Sequence, residues 1–439
     1  MARFKDTMKM FLRKVNPTYR HIDYTYDEVI RMGKLQQASS KSISDFFAQI
    51  DRQCTSIQNK ITALHQSVTG EEPVVNNVYE VFQGLYDCFL DQQSKSLFLA
   101  RFNSSMTDSF YHLFYELAHM ERNVDGRDLL TVIRDNISGQ KDTLILAWGE
   151  VASHRKVAGH IKHVFLQLGI QFSFYIGNAD NSGGKAGIPS ITIQEAVHKA
   201  HEGAIIIVPG GKVMRVLVEN GCNANSIVFK KSQWTTQYFD KSLIAPQKDE
   251  VFIDGGAFDM QDSANFANWC NGEYSAIYAF EPDEKNYKKC KNAIKSAPFV
   301  QDRHKSHYIS NSGLHKNPGH LAFSSGLGGS SHLIKSKLDA VDSLPLSHES
   351  MIAVTSIDHT LCGKKATFIK LDVEGAELDA LEGARDTILK HRPRMAIAIY
   401  HNREDILTIP LYILSLNPTY KFYLRHYSTW RTETVLYCV

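Results

Sequence analysis

Residues 251–259 read VFIDGGAFD, an apolar run that ends in an acidic residue followed by two glycines. A short apolar run bounded by glycine is typical of a buried strand, and the chain after it must turn sharply into a helix. Glycine permits such a turn and lets the backbone approach a ligand closely. Asp254, Gly255 and Gly256 are therefore predicted to form a ligand-binding turn at the carboxyl end of this strand.

A second predicted strand, AIYAFE at residues 276–281, also ends in an acid. The carboxyl ends of neighbouring parallel strands share one edge of a sheet, and an acid there can accept hydrogen bonds from the two hydroxyls of a ribose. Glu281 is therefore predicted to bind the ribose of a nucleoside cofactor.

The sequence of the turn separates two classes of cofactor. A dinucleotide site requires G-x-G-x-x-G to place a pyrophosphate on a helix N-terminus, whereas this turn reads G-G-A-F-D. Asp254 and Asp259 would repel a pyrophosphate but would suit a ligand that carries an ammonium and a sulfonium. S-adenosylmethionine therefore fits better than NAD. The alternative interpretation is a tight turn with an acidic helix cap and no ligand.

Strands and helices alternate from residue 250 to residue 439. The predicted strands span residues 251–255, 276–281, 306–310, 367–373, 395–401, 421–427 and 433–439. The last two are separated by a short polar turn, which predicts a hairpin. Parallel strands followed by a terminal hairpin predict an α/β fold with a mixed sheet of about seven strands.

The chain upstream of residue 236 divides into two further predicted regions. Residues 1–138 carry apolar residues at helical spacing without hairpin signals, which predicts an all-helical region. Residues 139–235 alternate short apolar runs with helical stretches, which predicts a second, small Rossmann-like α/β domain. This small domain lacks a clear ribose-binding acid, so a structural or acceptor-presenting role is favoured over cofactor binding. Residues 236–439 form the third predicted domain.

The composition bears on partners and compartment. The 49 Lys+Arg and 47 Asp+Glu residues give a formal charge of +2, too small for a broad electrostatic footprint on nucleic acid. The seven cysteines are scattered and form no C-x-x-C pair, which predicts reduced thiols in a cytoplasmic protein. We expect no secretory signal and no transmembrane segment, because no apolar run approaches the roughly 20 residues that span a bilayer. The basic N-terminus could still contact a membrane surface as an amphipathic helix.

Several segments together resemble the FkbM family of methyltransferases. They are VFIDGGAFD, IYAFEPD, SSGLGGSS, VTSIDHTL, FIKLDVEGAELDALEGA, IAIYHNREDILTIPLYI and YLRHYS, in the family's order. The D-V-E-G-A-E block at residues 372–377 is highly specific. The resemblance implies a class I, Rossmann-like methyltransferase domain with an S-adenosylmethionine site at the C-terminal ends of the strands.

Candidate catalytic residues lie at the ends of two predicted strands of this domain: Asp372 and Glu374 flank the end of the fourth, and His401 ends the fifth. Methyl transfer to an alcohol is an in-line displacement, so the enzyme must align the acceptor oxygen with the methyl group and remove one proton. Asp372 and Glu374 can point to the same side if the chain there is extended. They could act as a general base, accept substrate hydroxyls or bind a hard cation. Asp372 is also a predicted cofactor contact.

His401 is the first candidate for the base, because imidazole titrates near neutrality and the carboxylates would orient it. Either His401 or Asp372 is therefore predicted to take the proton, and Glu377 is predicted to be a helix cap or an ion-pair partner. Whether the site uses a divalent metal stays open.

Two further features could contact an acceptor. Residues 324–336, SSGLGGSSHLIKS, are rich in small residues and could fold over the substrate, or form a plain surface loop. Arg425 and His426 in the final hairpin could bind an acidic sugar or a phosphate, although a solvated Arg is favoured slightly.

The leading hypothesis is an S-adenosylmethionine-dependent O-methyltransferase that acts on a sugar hydroxyl of a polysaccharide, glycolipid or related metabolite. One alternative is methylation of a different nucleophile, such as an amine or a phosphate. Another is a noncatalytic scaffold that only binds the cofactor or partner enzymes. A glycan or other sugar-containing acceptor is the expected partner, and the helical region could mediate a homodimer.

Overall fold

A computed structural model provides the structure of the protein. It describes residues 78–107, 113, 117, 144–147, 173–176, 190–207, 216–223, 226–228, 237–296, 305–324, 332–333, 349–428 and 432–439. Among these, residues 78–88 and 410–419 belong to one compact unit and the remainder to another. The sites discussed below lie in the second unit.

Two helices open the described part of the chain, α1 (Val78–Asp87) and α2 (Gln92–Thr107). Both lie in the region predicted to be helical. None of the helices in the described residues is long and apolar enough to cross a bilayer.

A five-stranded parallel sheet comes next along the chain. Its strands are β1 (Leu144–Ala147), β2 (Phe174–Ile176), β3 (Ser190–Ile191), β4 (Ile205–Ile207) and β5 (Ile227–Val228), in the order β3-β2-β1-β4-β5. Helix α3 (Ile193–His201) begins with a capping box in which Thr192 and Glu195 satisfy each other's backbone N–H groups. The parallel pairing agrees with the predicted βαβ units, while the domain boundaries stay predictions.

The C-terminal part of the chain folds around a mixed seven-stranded sheet. Its strands are β6 (Glu250–Gly255), β7 (Tyr274–Phe280), β8 (Ser306–Ser310), β13 (Phe368–Leu371), β14 (Arg394–Ala398), β15 (Phe422–His426) and β16 (Thr434–Cys438). The order is β15-β16-β14-β13-β6-β7-β8, and β16 runs antiparallel to both of its neighbours. The predicted fold class, including the terminal hairpin, is confirmed.

Within the described residues, six helices connect or follow these strands. They are α4 (Gln261–Trp269), α5 (Glu284–Ser296), α6 (Ile357–Leu361), α7 (Glu377–Glu382), α8 (Arg385–His391) and α9 (Asp405–Leu416). Each β-to-α turn of the parallel part of the sheet places its residues at one edge, where ligands bind in folds of this class.

A second, four-stranded sheet was absent from the sequence prediction. It contains β9 (Gly313–Leu314), β10 (Gly319–Ser324), β11 (His332–Leu333) and β12 (Glu349–Thr355), in the order β11-β10-β12-β9. Residues 324–336 are therefore not wholly loop, because Phe323 and Ser324 pair with Leu333 and His332. Residues 325–331 and 334–336 lie outside the described residues.

An aromatic cluster holds the seven-stranded sheet to its first helix. Phe252 of β6 stacks on Phe266 of α4 with ring centroids 4.2 Å apart, and Phe368 of β13 lies against both rings. Phe239, from the connector before β6, packs on the same rings. Burial of each Phe contributes about 1.5–3 kcal/mol, so this cluster fixes β6 and β13 side by side.

The edge strand β15 is covered by the segment that includes α2. The backbone N–H of Leu424 donates to Ser94 Oγ (2.8 Å), and Phe89 forms a parallel bridge with Phe422. Arg425 forms a two-pronged ion pair with Asp91. Covering an edge in this way prevents the strand from pairing with another chain.

Candidate active site

The acidic turn after β6 is built around a buried lysine. Asp254 is fully buried and accepts hydrogen bonds from Ser263 Oγ (2.7 Å) and Lys370 Nζ (3.2 Å). Lys370 also contacts Asp262 Oδ2 (3.2 Å) and donates to the carbonyl of Gly256 (2.7 Å). Burial lowers the pKa of Lys370, but the charges of Asp254 and Asp262 outweigh it and raise the pKa. The ammonium therefore balances the charge of Asp254, the acid that was predicted to bind the cofactor.

The glycines of this turn are required by the neighbouring strand. Gly256 has φ 78°, and a Cβ added to it would lie 1.9 Å from the carbonyl oxygen of Asp372. A Cβ on Gly255 would lie 2.8 Å from Leu371 Cδ2. The N–H of Asp372 donates to the carbonyl of Gly255 (3.1 Å), so the turn and Asp372 are fixed to each other.

Glu281 follows β7 and is held by backbone donors. Its two oxygens accept the N–H groups of Phe258 (2.9 Å) and Asp283 (2.8 Å). Burial raises the pKa of the carboxyl, while these two hydrogen bonds oppose the shift. Each carboxylate oxygen retains a further acceptor site, which is compatible with the predicted ribose contact.

The three predicted catalytic side chains converge. His401 Nε2 lies 3.6 Å from Asp372 Oδ1 and 3.4 Å from Glu374 Oε2. Strand β13 ends at Leu371 and β14 at Ala398, so these residues follow the strands instead of ending them. Side-chain alternation along a strand therefore does not bring them together. The cause is a turn in which Glu374 has φ 55° and the next residue is also left-handed.

Glu377 orients the ring of His401. Its Oε1 lies 2.8 Å from His401 Nδ1. Glu377 is therefore an ion-pair partner, one of the two roles predicted for it, but Ala376 and not Glu377 caps the helix. The same carboxylate accepts the N–H groups of Val373 (2.9 Å) and Gly375 (3.1 Å) and so holds the turn that precedes the helix. Burial lowers the pKa of His401, but hydrogen bonds and charges of Glu374, Glu377 and Asp372 outweigh it and raise the pKa to about 11.

Two tyrosines complete the surroundings of Asp372. Tyr238 donates to Oδ2 (2.8 Å) and Tyr400 donates to Oδ1 (3.1 Å). The Asp372 side chain is 25% exposed, and that of Glu374 is 38% exposed. Glu374 is therefore the carboxylate of this group most open to an incoming ligand.

A further acid, Glu433, belongs to the same electrostatic group. Gln237 donates to its Oε2 (2.7 Å). Burial and the charge of Asp372 raise the pKa of Glu433 to about 7. Neither the connector residues Gln237 and Tyr238 nor Glu433 was singled out in the sequence, because no motif or periodicity marks them.

The position of Lys370 in the sequence was a usable signal for its pairing, although Lys370 was not among the predicted site residues. A lysine in the middle of the apolar run FIKL must be paired if the strand is buried. The nearest acid on the neighbouring strand is Asp254, which lies in register with Lys370. Arg425 and His426, by contrast, are engaged within the fold, by Asp91 and by Thr434 Oγ1 (2.8 Å) respectively.

Comparison with known proteins finds a family model that matches part of the chain. Residues 254–422 match the model of the Methyltransferase FkbM domain. A comparison with curated proteins gives no match. Among solved structures, Methyltransferase FkbM from Methylobacillus flagellatus KT is 19% identical, with a TM-score of 0.43, and the match covers 78% of this chain and 98% of that chain. A putative rRNA-methylase from Clostridium thermocellum is 8% identical, with a TM-score of 0.29, covering 48% of this chain and 96% of that chain.

Proposed function

We propose that the chain is an S-adenosylmethionine-dependent O-methyltransferase whose acceptor is a sugar hydroxyl, because residues 254–422 match the model of the Methyltransferase FkbM domain. The observation that carries this proposal is the convergence of Asp372, Glu374 and His401 at the edge of the sheet that also holds the acidic turn. A carboxylate-rich group beside a predicted cofactor turn is suited to receive a proton from an alcohol.

The charge of this edge supports a cationic cofactor. Asp254 and Asp262 share the single ammonium of Lys370, and Asp372 adds a further negative charge nearby. A sulfonium and an ammonium would be attracted to such an edge, whereas a pyrophosphate would be repelled. Glu281 is expected to accept the ribose hydroxyls, and Asp254 is expected to act indirectly, by fixing the turn.

The proposed reaction is a single displacement. The acceptor oxygen forms a bond to the methyl carbon while the C–S bond breaks and its electron pair stays on sulfur. The hydroxyl proton passes to a carboxylate, and Glu374 is suited to accept it because Asp372 is already hydrogen-bonded by two phenols. While His401 is protonated at neutral pH, it acts as a donor that balances the carboxylates.

The same charge argues against an amine acceptor. A group of carboxylates stabilises an ammonium and so keeps an amine protonated and non-nucleophilic. An alcohol has no such cationic ground state. We therefore place the sugar hydroxyl ahead of the amine.

Calorimetry and product analysis together test the proposal. The full chain is expected to release heat on titration with S-adenosylhomocysteine, and to transfer a labelled methyl group to at least one member of a panel of oligosaccharides, glycolipids and aminated sugars. Binding without transfer to any acceptor would favour the noncatalytic scaffold. Transfer to amines alone would contradict the hydroxyl acceptor, and absence of binding would contradict the whole proposal.

A further inference from the structure

A chain of hydrogen bonds connects Glu433 to Asp372 through two residues of the connector before β6. The side-chain amide of Gln237 donates to Glu433 Oε2 (2.7 Å) and to Tyr238 Oη (3.2 Å). Tyr238 in turn donates to Asp372 Oδ2 (2.8 Å). Gln237 and Tyr238 are both buried, so solvent has little access to the middle of this chain. The carboxylate of Asp372 is therefore joined to a second carboxylate through two buried side chains.

The hydrogens available in this chain fix the direction of each hydrogen bond. An ionised carboxylate only accepts, so neither Glu433 nor Asp372 supplies a hydrogen. The amide of Gln237 has two hydrogens, and the phenol of Tyr238 has one. When the amide hydrogens go to the Glu433 carboxylate and to the phenol oxygen, the phenol hydrogen is left for Asp372. Gln237 therefore directs the hydroxyl of Tyr238 towards Asp372.

Two members of the chain have a strained backbone. Tyr238 has φ 71° and Glu433 has φ 67°, in the left-handed region that favours glycine. Such a conformation costs free energy, persists only where the surroundings hold it, and is often found at functional sites. The N–H of Tyr238 donates to Tyr437 Oη (3.1 Å). The carbonyl of Glu433 accepts the N–H of Tyr427 (2.9 Å). The fold therefore maintains the strain at two positions that lead to Asp372.

We propose that Gln237 is a positioning residue of the methyltransferase site, which acts on Asp372 through the hydroxyl of Tyr238. This role rests on the proposed function, in which Asp372 lies beside the acceptor. With its second oxygen held by Tyr400 (3.1 Å), the carboxylate has a fixed plane, and a fixed plane aligns an acceptor hydroxyl for in-line transfer. Gln237 precedes and Glu433 follows residues 254–422, so the site draws on segments that the family model does not cover.

A double-mutant cycle in the full chain tests this role. Gln237→Met removes both donors, keeps a side chain of similar length, and is expected to lower kcat several-fold with little change in KM. The matched control is Gln247→Met, at an exposed glutamine, which is expected to have the kcat of the parent. If Gln237 acts through the phenol, its loss has no effect once the phenol is gone. The double variant, with Tyr238→Phe added, is therefore expected to match the kcat of Tyr238→Phe alone within about twofold.

The proposal is overturned if the two losses in kcat multiply, because Gln237 then acts independently of Tyr238. It is also overturned if folded Gln237→Met has the kcat of the control. Circular dichroism checks folding, and Gln237→Asn, whose side chain is shorter by one methylene, replaces Gln237→Met in the cycle if the latter is unfolded.

The same cycle measured on the free energy of unfolding separates this proposal from the proposed function. A chain that transfers no methyl group contradicts the proposed function, and the unfolding cycle then still tests the chain of hydrogen bonds. Coupled residues are expected to give losses that do not add. Losses that simply add would overturn the coupling between Gln237 and Tyr238, whether or not the chain is active.

Discussion

Two charged groups involve strand β13 and differ in how their charges are balanced: the lysine group joins β13 to β6, and the histidine group follows β13 and β14. In the lysine group, Lys370 joins Asp254 and Asp262 and donates to the backbone carbonyl of Gly256, while Ser263 donates to Asp254. In the histidine group, a single imidazole faces the carboxylates of Asp372, Glu374 and Glu377, and two of these carboxylates are partly exposed. The lysine group is closed and sets the backbone, whereas the histidine group is open and acidic. The acids at this edge of the sheet are therefore not equivalent. Those paired with Lys370 hold the backbone, whereas two of those around His401 are accessible to a ligand.

Removing the ammonium of the lysine group is expected to have the largest effect. Lys370→Met leaves Asp254 and Asp262 unpaired, and breaking a buried pair in this way costs about 3–5 kcal/mol of unfolding free energy. Urea unfolding measures this loss. The exposed Lys364→Met is the control, and equal stability of the two variants would contradict the assignment of Lys370 as the structural cation.

A substitution in the histidine group is expected to affect the rate instead. Asp372→Asn retains volume but removes a charge that the proposed function places beside the acceptor. A loss of about 10²–10³-fold in the rate constant of a single turnover is expected, with little change in stability. Asp386→Asn, on the surface, serves as the control. If Asp372→Asn is as active as this control, Asp372 has no role in methyl transfer.

Glu433, beside the histidine group, is expected to make the stability of the folded chain depend on pH. Its pKa is raised by burial from 4.5 to about 7, so the folded state holds the proton more tightly than the unfolded state. The contribution of this carboxyl to the free energy of unfolding is present in full below about pH 4.5 and is lost as the pH rises through about 7. Glu433→Gln cannot ionise and so does not lose this contribution. From pH 5 to pH 8, the unfolding free energy of the variant is therefore expected to rise by about 1–3 kcal/mol relative to that of the parent chain.

Thermal unfolding at a series of pH values measures this difference. Asp405, whose pKa is also raised to about 7 by burial, is common to both proteins and cancels in the comparison. Parallel stability curves for the variant and the parent across this range would contradict the assignment.

The smallest expected effect concerns the phenol that fixes Asp372. Tyr238→Phe removes one hydrogen bond to the carboxylate, and a net loss of about 0.5–1.5 kcal/mol in unfolding free energy is expected. A several-fold decrease in kcat with little change in KM would indicate that the phenol positions the carboxylate. Unchanged kcat in a destabilised variant would limit Tyr238 to a structural role.

Sequence patterns predicted the sheet because most of its strands are apolar runs bounded by turn residues. They placed strand ends less well: the apolar run through Ile399 and Tyr400 continues beyond the last ladder residue, Ala398. In the second sheet, the two-residue strands β9 and β11 carry no periodicity and could not be predicted, whereas the six- and seven-residue strands β10 and β12 were missed.

Part of the candidate site could also be predicted from the sequence. Asp372, Glu374 and His401 were predicted together because consecutive parallel strands end at one edge. Tyr238 could not be predicted, since it comes from an irregular connector 134 positions away in the chain. The predicted cofactor contact of Asp254 stays a prediction, while its pairing with Lys370 could have been inferred from the lysine within the apolar run FIKL.

A crystal structure with S-adenosylhomocysteine tests the central claim most directly, since that claim is that the open histidine group faces the reacting sulfur. We predict that the ribose hydroxyls contact Glu281 and that the sulfur lies beside Asp372, Glu374 and His401. A nucleoside bound elsewhere, or one whose sulfur faces away from these three side chains, would contradict the account.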